Sequence, residues 1–141
     1  MGQEKIACCV IDTNVVISAL LFGGVPGQLI DLWKTGRIVP LITEEIMTEY
    51  IRVLAYPKFK LSEEEINYII QQEILPFFKV VKSAIGSPII KKDPDDDKFN
   101  QCAEAGKAKI IISGDRHLLA LKSHNNIKIL TPSQLLDQVL F

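Results

Sequence analysis

The sequence has few cysteines, and their spacing excludes the common cysteine-based sites. Of the 141 residues only three are cysteines: Cys8 and Cys9 are adjacent, and Cys102 is far away along the chain. There is no CxxC pair and no Cys/His cluster from which a zinc site could be built. We therefore expect reduced thiols that are mostly buried in the core.

Long apolar runs and an excess of positive charge are also missing. The run from Val15 to Phe22 is interrupted by Ser18 and is far shorter than a membrane span of about 20 residues. Residues 1–11 lack the layout of a signal peptide, so we expect a cytoplasmic protein with no membrane association. The net charge is −1, whereas proteins that bind nucleic acid by charge alone are usually basic. Any such binding would need a local patch or a bridging metal ion.

The length of the chain fits one domain of ordinary size, over residues 1–141. Apolar runs predict strands at residues 6–11, 38–42, 77–81, 110–112 and 127–130. Capping residues and breakers predict helices at residues 13–21, 26–33, 44–56, 62–75, 97–105 and 115–121, and after Pro132, with a loop at residues 86–96. Alternating strands and helices predict an α/β fold with a mainly parallel sheet.

Two of the predicted strands lead into an aspartate. Ile11 is followed by Asp12, and Ile112 leads through Ser113 and Gly114 to Asp115. Ligands of open α/β sheets bind beyond the carboxyl ends of the strands, so both carboxylates should emerge at one edge of the sheet. Each aspartate alone is also typical of a helix cap or a turn.

Two further acids are candidates for the same site. Glu49 borders the apolar face of the helix after Thr43, where a carboxylate usually has a partner or a metal ion, although a solvated position or a pair with Arg52 fits as well. Asp97 ends the run Asp93-Pro-Asp-Asp-Asp97, where a helix is expected to begin. Its neighbours could do the same work, and Asp93 and Asp95 are typical of a solvated loop.

Carboxylates without histidine or cysteine companions favour a hard cation bound by oxygen atoms, namely Mg²⁺ or Mn²⁺. Such an ion can activate water and stabilise the leaving oxygen of a phosphodiester. The acids also need the ion, because four converging carboxylates would otherwise repel one another and raise their pKa values.

The motifs around these acids resemble those of PIN-domain nucleases, in order and over nearly the whole chain. They are Asp12-Thr-Asn14, residues 43–54 with Glu49, residues 93–103 with Asp97, and residues 110–119 with Asp115. The variant is similar to PIN proteins described as toxins of toxin–antitoxin pairs, related to VapC. The resemblance implies a three-layer α/β/α fold and an endoribonuclease that acts on single-stranded or structured RNA and depends on one or two Mg²⁺ or Mn²⁺ ions. It further implies 5′-phosphate and 3′-hydroxyl products, a homodimer or higher homo-oligomer, and an antitoxin partner.

The resemblance also assigns supporting roles. Thr13, Asn14 and Ser113 match positions that commonly hold the acids in place. Many relatives carry another aspartate two residues after the fourth acid, where this chain has His117, so one firmly held ion is expected. Asp96 and His117 are further candidates for the site. Candidate RNA contacts, which are equally typical of surface residues, are Lys91, Lys92, Lys98 and Arg116.

Three other interpretations match parts of the sequence. Asp93, Asp95, Asp97 and Glu104 have the spacing of an EF-hand loop, but Lys98 stands where that loop needs glycine. A haloacid-dehalogenase-type phosphatase would need an aspartate in place of Asn14. The serious alternative is a PIN-like module that binds RNA or protein without cutting, although concentrated carboxylates are poorly suited to binding phosphate.

Overall fold

A six-stranded sheet forms the centre of the molecule. The computed structural model of the chain describes residues 8–82, 94–115, 123–124 and 127–140, with the backbone alone at 94–97, 123–124 and 140. The strands are β1 (Cys8–Ile11), β2 (Val39–Ile42), β3 (Lys79–Val80), β4 (Ile110–Ile112), β5 (Ser123–His124) and β6 (Ile127–Leu130). Their order is β3-β2-β1-β4-β6-β5, and every neighbouring pair is parallel except β5 with β6. The predicted α/β fold with a mainly parallel sheet is confirmed.

Helices flank the sheet. In the described ranges they are α1 (Thr13–Leu21), α2 (Gly24–Lys34), α3 (Glu44–Leu54), α4 (Glu63–Ile69), α5 (Pro94–Ala105) and α6 (Pro132–Leu140). A 3₁₀ turn at Pro57–Phe59 follows α3, and a π-helical turn at Ile70–Ile74 prolongs α4. The predicted caps are confirmed at Thr43, whose side chain accepts from the backbone N–H of Ile46, and at Ser62, which forms a capping box with Glu65.

Several predicted boundaries were wrong by two or three residues. α5 begins at Pro94 rather than Asp97, because proline suits the first turn of a helix, where its missing N–H is no loss. α2 begins at Gly24 rather than Pro26, and both its N-cap Gly23 and Gly24 itself have positive φ, which glycine adopts at little cost. β3 is shorter than predicted, since the N–H groups of Phe77 and Phe78 still bond the carbonyl of Ile74.

Other predictions fall outside the part that the structure describes. These are residues 6 and 7 of the first predicted strand, residues 86–93 of the predicted loop and residues 116–121 of the predicted helix after Asp115. The EF-hand alternative is excluded by the backbone, because residues 94–105 form one continuous helix instead of an ion-binding loop.

The core lies on both sides of the central strands. Val10, Ile11, Leu41, Ile111 and Ile112 are completely buried, as expected of strands covered on both faces. The thiols are free, with two of them buried as predicted; burial raises the pKa of the Cys102 thiol to about 12. Burial raises the pKa of the Cys9 thiol as well, so both buried thiols are protonated at neutral pH.

The helices of the described ranges are all shorter than a membrane span of about 20 residues. No single one of them is long and apolar enough to cross a bilayer. α1 and α2 reach the required length and composition only as a pair bent by 94° at the break between them.

The sheet order locates the functional edge. From β1 the chain crosses to β2 on one side, while β4 pairs with β1 on the other, so the strand order reverses between β1 and β4. Crevices at such switch points, beyond the carboxyl ends of the strands, are where α/β folds bind ligands.

Candidate active site

Asp12 and Ser113 lie side by side where β1 and β4 end. The parallel pairing continues one step past β1, because the backbone N–H of Asp12 donates to the carbonyl of Ile112 over 2.9 Å. Ser113 continues β4 in the same way and donates its backbone N–H to Leu130 over 2.9 Å. The sheet therefore brings the two polar residues together at the switch point.

Asp12 is buried without a cation beside it among the described contacts. It occupies the N-cap position of α1, yet its side chain makes no capping hydrogen bond. Instead its Oδ2 accepts a hydrogen bond from the Ser113 hydroxyl over 2.8 Å, and only 8% of the residue is exposed. Burial raises the pKa of Asp12, and the charges of Asp115 and Glu49 add to this, while Ser113 and the nearby N–H of Asn14 oppose it.

Ser113 also positions Asp115. Its Oγ accepts a hydrogen bond from the backbone N–H of Asp115 over 2.9 Å while its hydroxyl proton goes to Asp12. Ser113 is fully buried, so this bridge ties the two strand-end aspartates together.

Glu49 has the opposite environment. Its Oε2 accepts from the Thr13 hydroxyl at 2.5 Å, and its Oε1 lies 2.7 Å from Lys98 Nζ and 3.4 Å from a guanidinium nitrogen of Arg52. Partial burial alone would raise the pKa of Glu49, but hydrogen bonds from Lys98 and Thr13 and the charges of Lys98 and Arg52 lower it below its ordinary value. Thr13 contacts Glu49 and Ser113 contacts Asp12, while their supporting roles in a metal site stay predictions.

Lys98 differs most from its predicted surroundings. It was a candidate RNA contact or an ordinary surface lysine, but its side chain is only 6% exposed. Its ammonium pairs with Glu49 and lies 5.4 Å from the centre of the Phe99 ring. A surface position is therefore wrong for Lys98, because α5 packs this residue against α3 and the carboxylate compensates its buried charge.

An open, mainly polar cavity of about 270 Å³ connects these groups. Its lining residues are Asp12, Thr13, Asn14, Glu49, Arg52, Val53, Tyr56, Phe99 and Asp115. Three of the four predicted acids therefore share one cavity. Among the side chains that the structure describes, however, no three acidic, histidine or cysteine groups stand close enough to hold one ion directly.

The fourth predicted acid is defined only in part. α5 carries Asp96 and Asp97 in its first turn, but their side chains lie outside the described atoms. The predicted roles of both residues stay predictions. The same holds for Lys91, Lys92, Arg116 and His117, which lie outside the described residues altogether.

Sequence patterns missed several residues of this site. Tyr50 is fully buried and donates its hydroxyl to the carbonyl of Ile11 over 2.7 Å, which fixes α3 against the end of β1. Tyr56 and Phe99 line the cavity without having been predicted to do so. Of the two ion pairs of Glu49, the sequence predicted only the one with Arg52, because the two residues are three positions apart on one helix.

Comparison with known proteins decides the family. A family model described as PIN domain matches residues 9–117. The chain belongs to the PIN domain family. PIN domains are generally nucleases that use divalent metal ions.

The fold of this PIN domain also has a solved counterpart. The crystal structure of PAE2754 from Pyrobaculum aerophilum superposes with a TM-score of 0.60, covering 96% of this chain and 90% of the other. The two are 13% identical in sequence, so the likeness concerns the fold. No curated protein matches the chain in sequence.

The residues of the cavity suit a divalent ion in this PIN domain. Asp12, Glu49 and Asp115 offer only oxygen ligands, and burial next to like charges leaves Asp12 short of positive charge. Mg²⁺ usually keeps several waters and takes few carboxylates. Since no three of the described acids stand close enough to hold one ion directly, an ion in this cavity would be held partly through water.

Proposed function

We propose that this PIN domain is an endoribonuclease that depends on Mg²⁺ or Mn²⁺ and hydrolyses RNA phosphodiester bonds. We further propose that it is the toxin of a VapC-related toxin–antitoxin pair, acting in the cytoplasm as a homodimer or higher homo-oligomer. The four ordered sequence motifs and the family membership support the proposal.

One observation carries the nuclease proposal. Asp12 is held by Ser113 in a cavity shared with Asp115 and Glu49, and its burial and the neighbouring charges raise its pKa. A protein gains no stability from such an arrangement, since it concentrates negative charge where little of it is solvated. A divalent cation would relieve this cost, which is why the arrangement favours a metal-dependent function.

Each residue then has a defined task. A bound Mg²⁺ or Mn²⁺ supplies positive charge for the phosphate and lowers the pKa of water. Asp12 and Asp115 would hold the ion from the strand ends, with Ser113 fixing both carboxyl-bearing residues. Glu49 contributes from α3, in an orientation set by Thr13 and Lys98. Asp97 is the predicted fourth acid.

The second candidate, a PIN-like module that binds RNA or protein without cutting it, draws on a different observation. Lys98 and Arg52 already compensate the charge of Glu49 inside the protein. An acid with its own cation depends less on a metal ion, as expected of a site with weak or lost activity.

A cleavage assay separates these candidates. Wild-type protein is incubated with mixed RNA and Mg²⁺ or Mn²⁺ beside Asp12→Asn, Asp97→Asn and the matched control Asp137→Asn, an exposed acid on α6. We expect cleavage by wild type and control and a loss of roughly 100-fold or more in the two site variants, beyond the ~10–100-fold typical of supporting residues. Equal rates in all proteins, or no cleavage with any metal, would favour the binding module.

The toxin proposal needs a separate test in growing cells. Induced expression of the wild type should arrest growth and deplete RNA, whereas Asp12→Asn at equal abundance should not. Normal growth with wild-type protein that cuts RNA in vitro would leave a ribonuclease that is not a toxin.

A further inference from the structure

The segment between Glu49 and Glu63 combines aromatic side chains with positive charge. It contains Arg52, Lys58 and Lys60 and no acid, although the whole chain has a net charge of −1. Tyr56 and Phe59 alternate with the two lysines. Positive charge that alternates with aromatic rings is the pattern by which proteins bind single-stranded nucleic acid.

The structure exposes these rings and adds one from another helix. Phe22, just beyond the end of α1, is 70% exposed and lies 6.0 Å from the half-buried ring of Phe59, centre to centre. Tyr56 is 40% exposed. Lys58 Nζ stands 5.3 Å from the centre of the Phe59 ring, so positive charge and aromatic surface are presented together.

This surface is continuous with the acidic cavity. Arg52 and Tyr56 line the cavity together with Asp12, Glu49 and Asp115. From there the surface passes along the 3₁₀ turn to Phe59 and on to Phe22. α1 begins beside Asp12 and ends before Phe22, and a helix of its nine residues is about 14 Å long. The aromatic groups therefore extend from Tyr56 in the cavity to Phe22 at the far end of α1.

Lys60 has an unusual backbone conformation in this segment. Its φ is 53°, in the left-handed region that glycine adopts at less cost. Glycine would adopt this conformation at a lower energetic cost than lysine does. Replacing Lys60 by glycine would suit the turn and remove the side chain with its charge, and the salt dependence of binding then reports the charge.

We propose that this surface is a binding track for single-stranded RNA that leads into the acidic cavity. The track consists of Phe22, Arg52, Tyr56, Lys58, Phe59 and Lys60. Unpaired bases stack on the exposed rings, and the cations contact the phosphates between them. The inference rests on the proposed nuclease function and narrows its substrate to unpaired RNA, because stacked and paired bases have no free faces for the rings.

RNA fits the track better than a protein partner does. A protein interface is usually poor in lysine at its centre, whereas here lysines flank the aromatic residues. The segment between Glu49 and Glu63 contains no acid that would repel a polyanion such as RNA. The track also ends at the acidic cavity, where the proposed function has the RNA strand cleaved.

Binding measured without cleavage tests the track. A fluorescently labelled unstructured RNA of 12 nucleotides and a duplex of the same sequence are titrated with full-length protein in EDTA, and anisotropy is recorded. Tyr56→Ala and Phe22→Ala should each weaken single-strand binding about tenfold, from the stacking lost per base. Tyr56→Phe should retain binding. Tyr68→Ala, an equally simple change at a 63% exposed tyrosine on α4, is the matched control.

Charge is tested by the salt dependence of the same binding. Lys60→Gly should weaken binding and reduce the slope of log Kd against log salt by about 0.7, the value for one phosphate contact on a single strand. Thermal melts of each variant keep a folding defect from being taken for a binding defect.

The outcomes distinguish this inference from the proposed function. Equal binding of single strand and duplex, or equal effects of Tyr56→Ala and Tyr68→Ala, would overturn the track even if wild type cuts RNA. So would a changed oligomeric state in the ring variants with unaltered RNA binding, which would mark a protein interface. Ring-dependent binding by a protein that cleaves nothing with Mn²⁺ would support the track and refute the nuclease.

Discussion

The two halves of the acidic cavity differ in how a partly buried carboxylate is stabilised. On the side of the strand ends, Asp12 accepts a hydrogen bond from the neutral hydroxyl of Ser113. Burial and the nearby negative charge of Asp115 outweigh this bond, so the pKa of Asp12 is raised. On the side of α3, Glu49 receives the ammonium of Lys98, and its pKa is lowered. Asp12 therefore has no cation among its described contacts, whereas Glu49 has two.

This difference indicates which half depends on an added cation. A carboxylate with a raised pKa gains from a divalent ion both its charge compensation and its ionised state. Glu49 gains less, because Lys98 already supplies a buried charge at 2.7 Å. We infer that the strand ends are the principal ion-binding side and that α3 mainly shapes the cavity.

The largest expected effect on stability comes from removing the internal cation. Lys98→Met leaves Glu49 without its closest cation, and we expect the free energy of unfolding to fall by about 3 kcal/mol, at the low end for a broken buried pair since Glu49 remains 16% exposed. Chemical denaturation in EDTA measures this. Lys34→Met is the matched control: that pair with Glu73 is as short, 2.6 Å, but Lys34 is 37% exposed, and we expect about 0.5 kcal/mol.

The pH dependence of the same variant tests the cause. Because the pKa of Glu49 is lowered in the folded state, its contribution is complete above the ordinary value of 4.5 and is lost as the pH falls through the lowered value. The difference between wild type and Lys98→Met should therefore narrow below pH 4.5. A difference that stays constant with pH would mean that packing of the lysine chain, and not the ion pair, explains the loss.

The fold was largely predictable because its signals are local. Apolar runs ending in polar residues indicated β1, β2, β4 and β6, and caps such as Thr43 and Ser62 indicated where helices begin. The boundaries that failed depended on backbone hydrogen bonds that composition does not encode. The turn bonds to Ile74 that shorten β3 are an example.

The site was predictable only where secondary structure alone determines position. Strand ends brought Asp12 and Ser113 together, as the parallel sheet requires. The pair of Lys98 with Glu49 joins residues on two helices far apart in sequence, and it depends on how α3 and α5 pack. No periodicity in one helix shows which residue of another it will meet.

The second-largest expected effect on stability concerns Ser113, at the strand ends. Ser113→Ala removes the only hydroxyl that joins Asp12 to the backbone N–H of Asp115 in the described structure. Hydrogen bonds to charged groups contribute about 1.5–3 kcal/mol, and we expect a loss of about 1.5 kcal/mol in unfolding free energy together with a ~10-fold slower cleavage. Thr13→Val, the equivalent change beside Glu49, should cost less, because Lys98 remains. Equal losses would argue against the difference between the two halves.

A third prediction has the opposite sign. Asp12→Asn removes a buried charge while leaving an oxygen to accept from Ser113, so the metal-free protein should become more stable by about 1 kcal/mol at pH 7. Since the pKa of Asp12 is raised, its cost is present above the folded pKa and disappears as the pH falls toward 3.8, so the gain should shrink at pH 4. Lower stability of Asp12→Asn in EDTA at pH 7 would show that this half is not short of positive charge.

The smallest effect separates the two cations beside Glu49. Arg52 reaches Glu49 at 3.4 Å from a side chain that is 59% exposed, whereas Lys98 is buried at 2.7 Å. Exposed pairs on one helix contribute about 0.3–0.5 kcal/mol, so Arg52→Gln should hardly change the unfolding free energy in EDTA. Its role in the proposed track predicts instead weaker binding of single-stranded RNA and a smaller salt slope. A large stability loss with unchanged RNA binding would make Arg52 a structural partner of Glu49, and Lys98 would no longer be the cation that distinguishes the two halves.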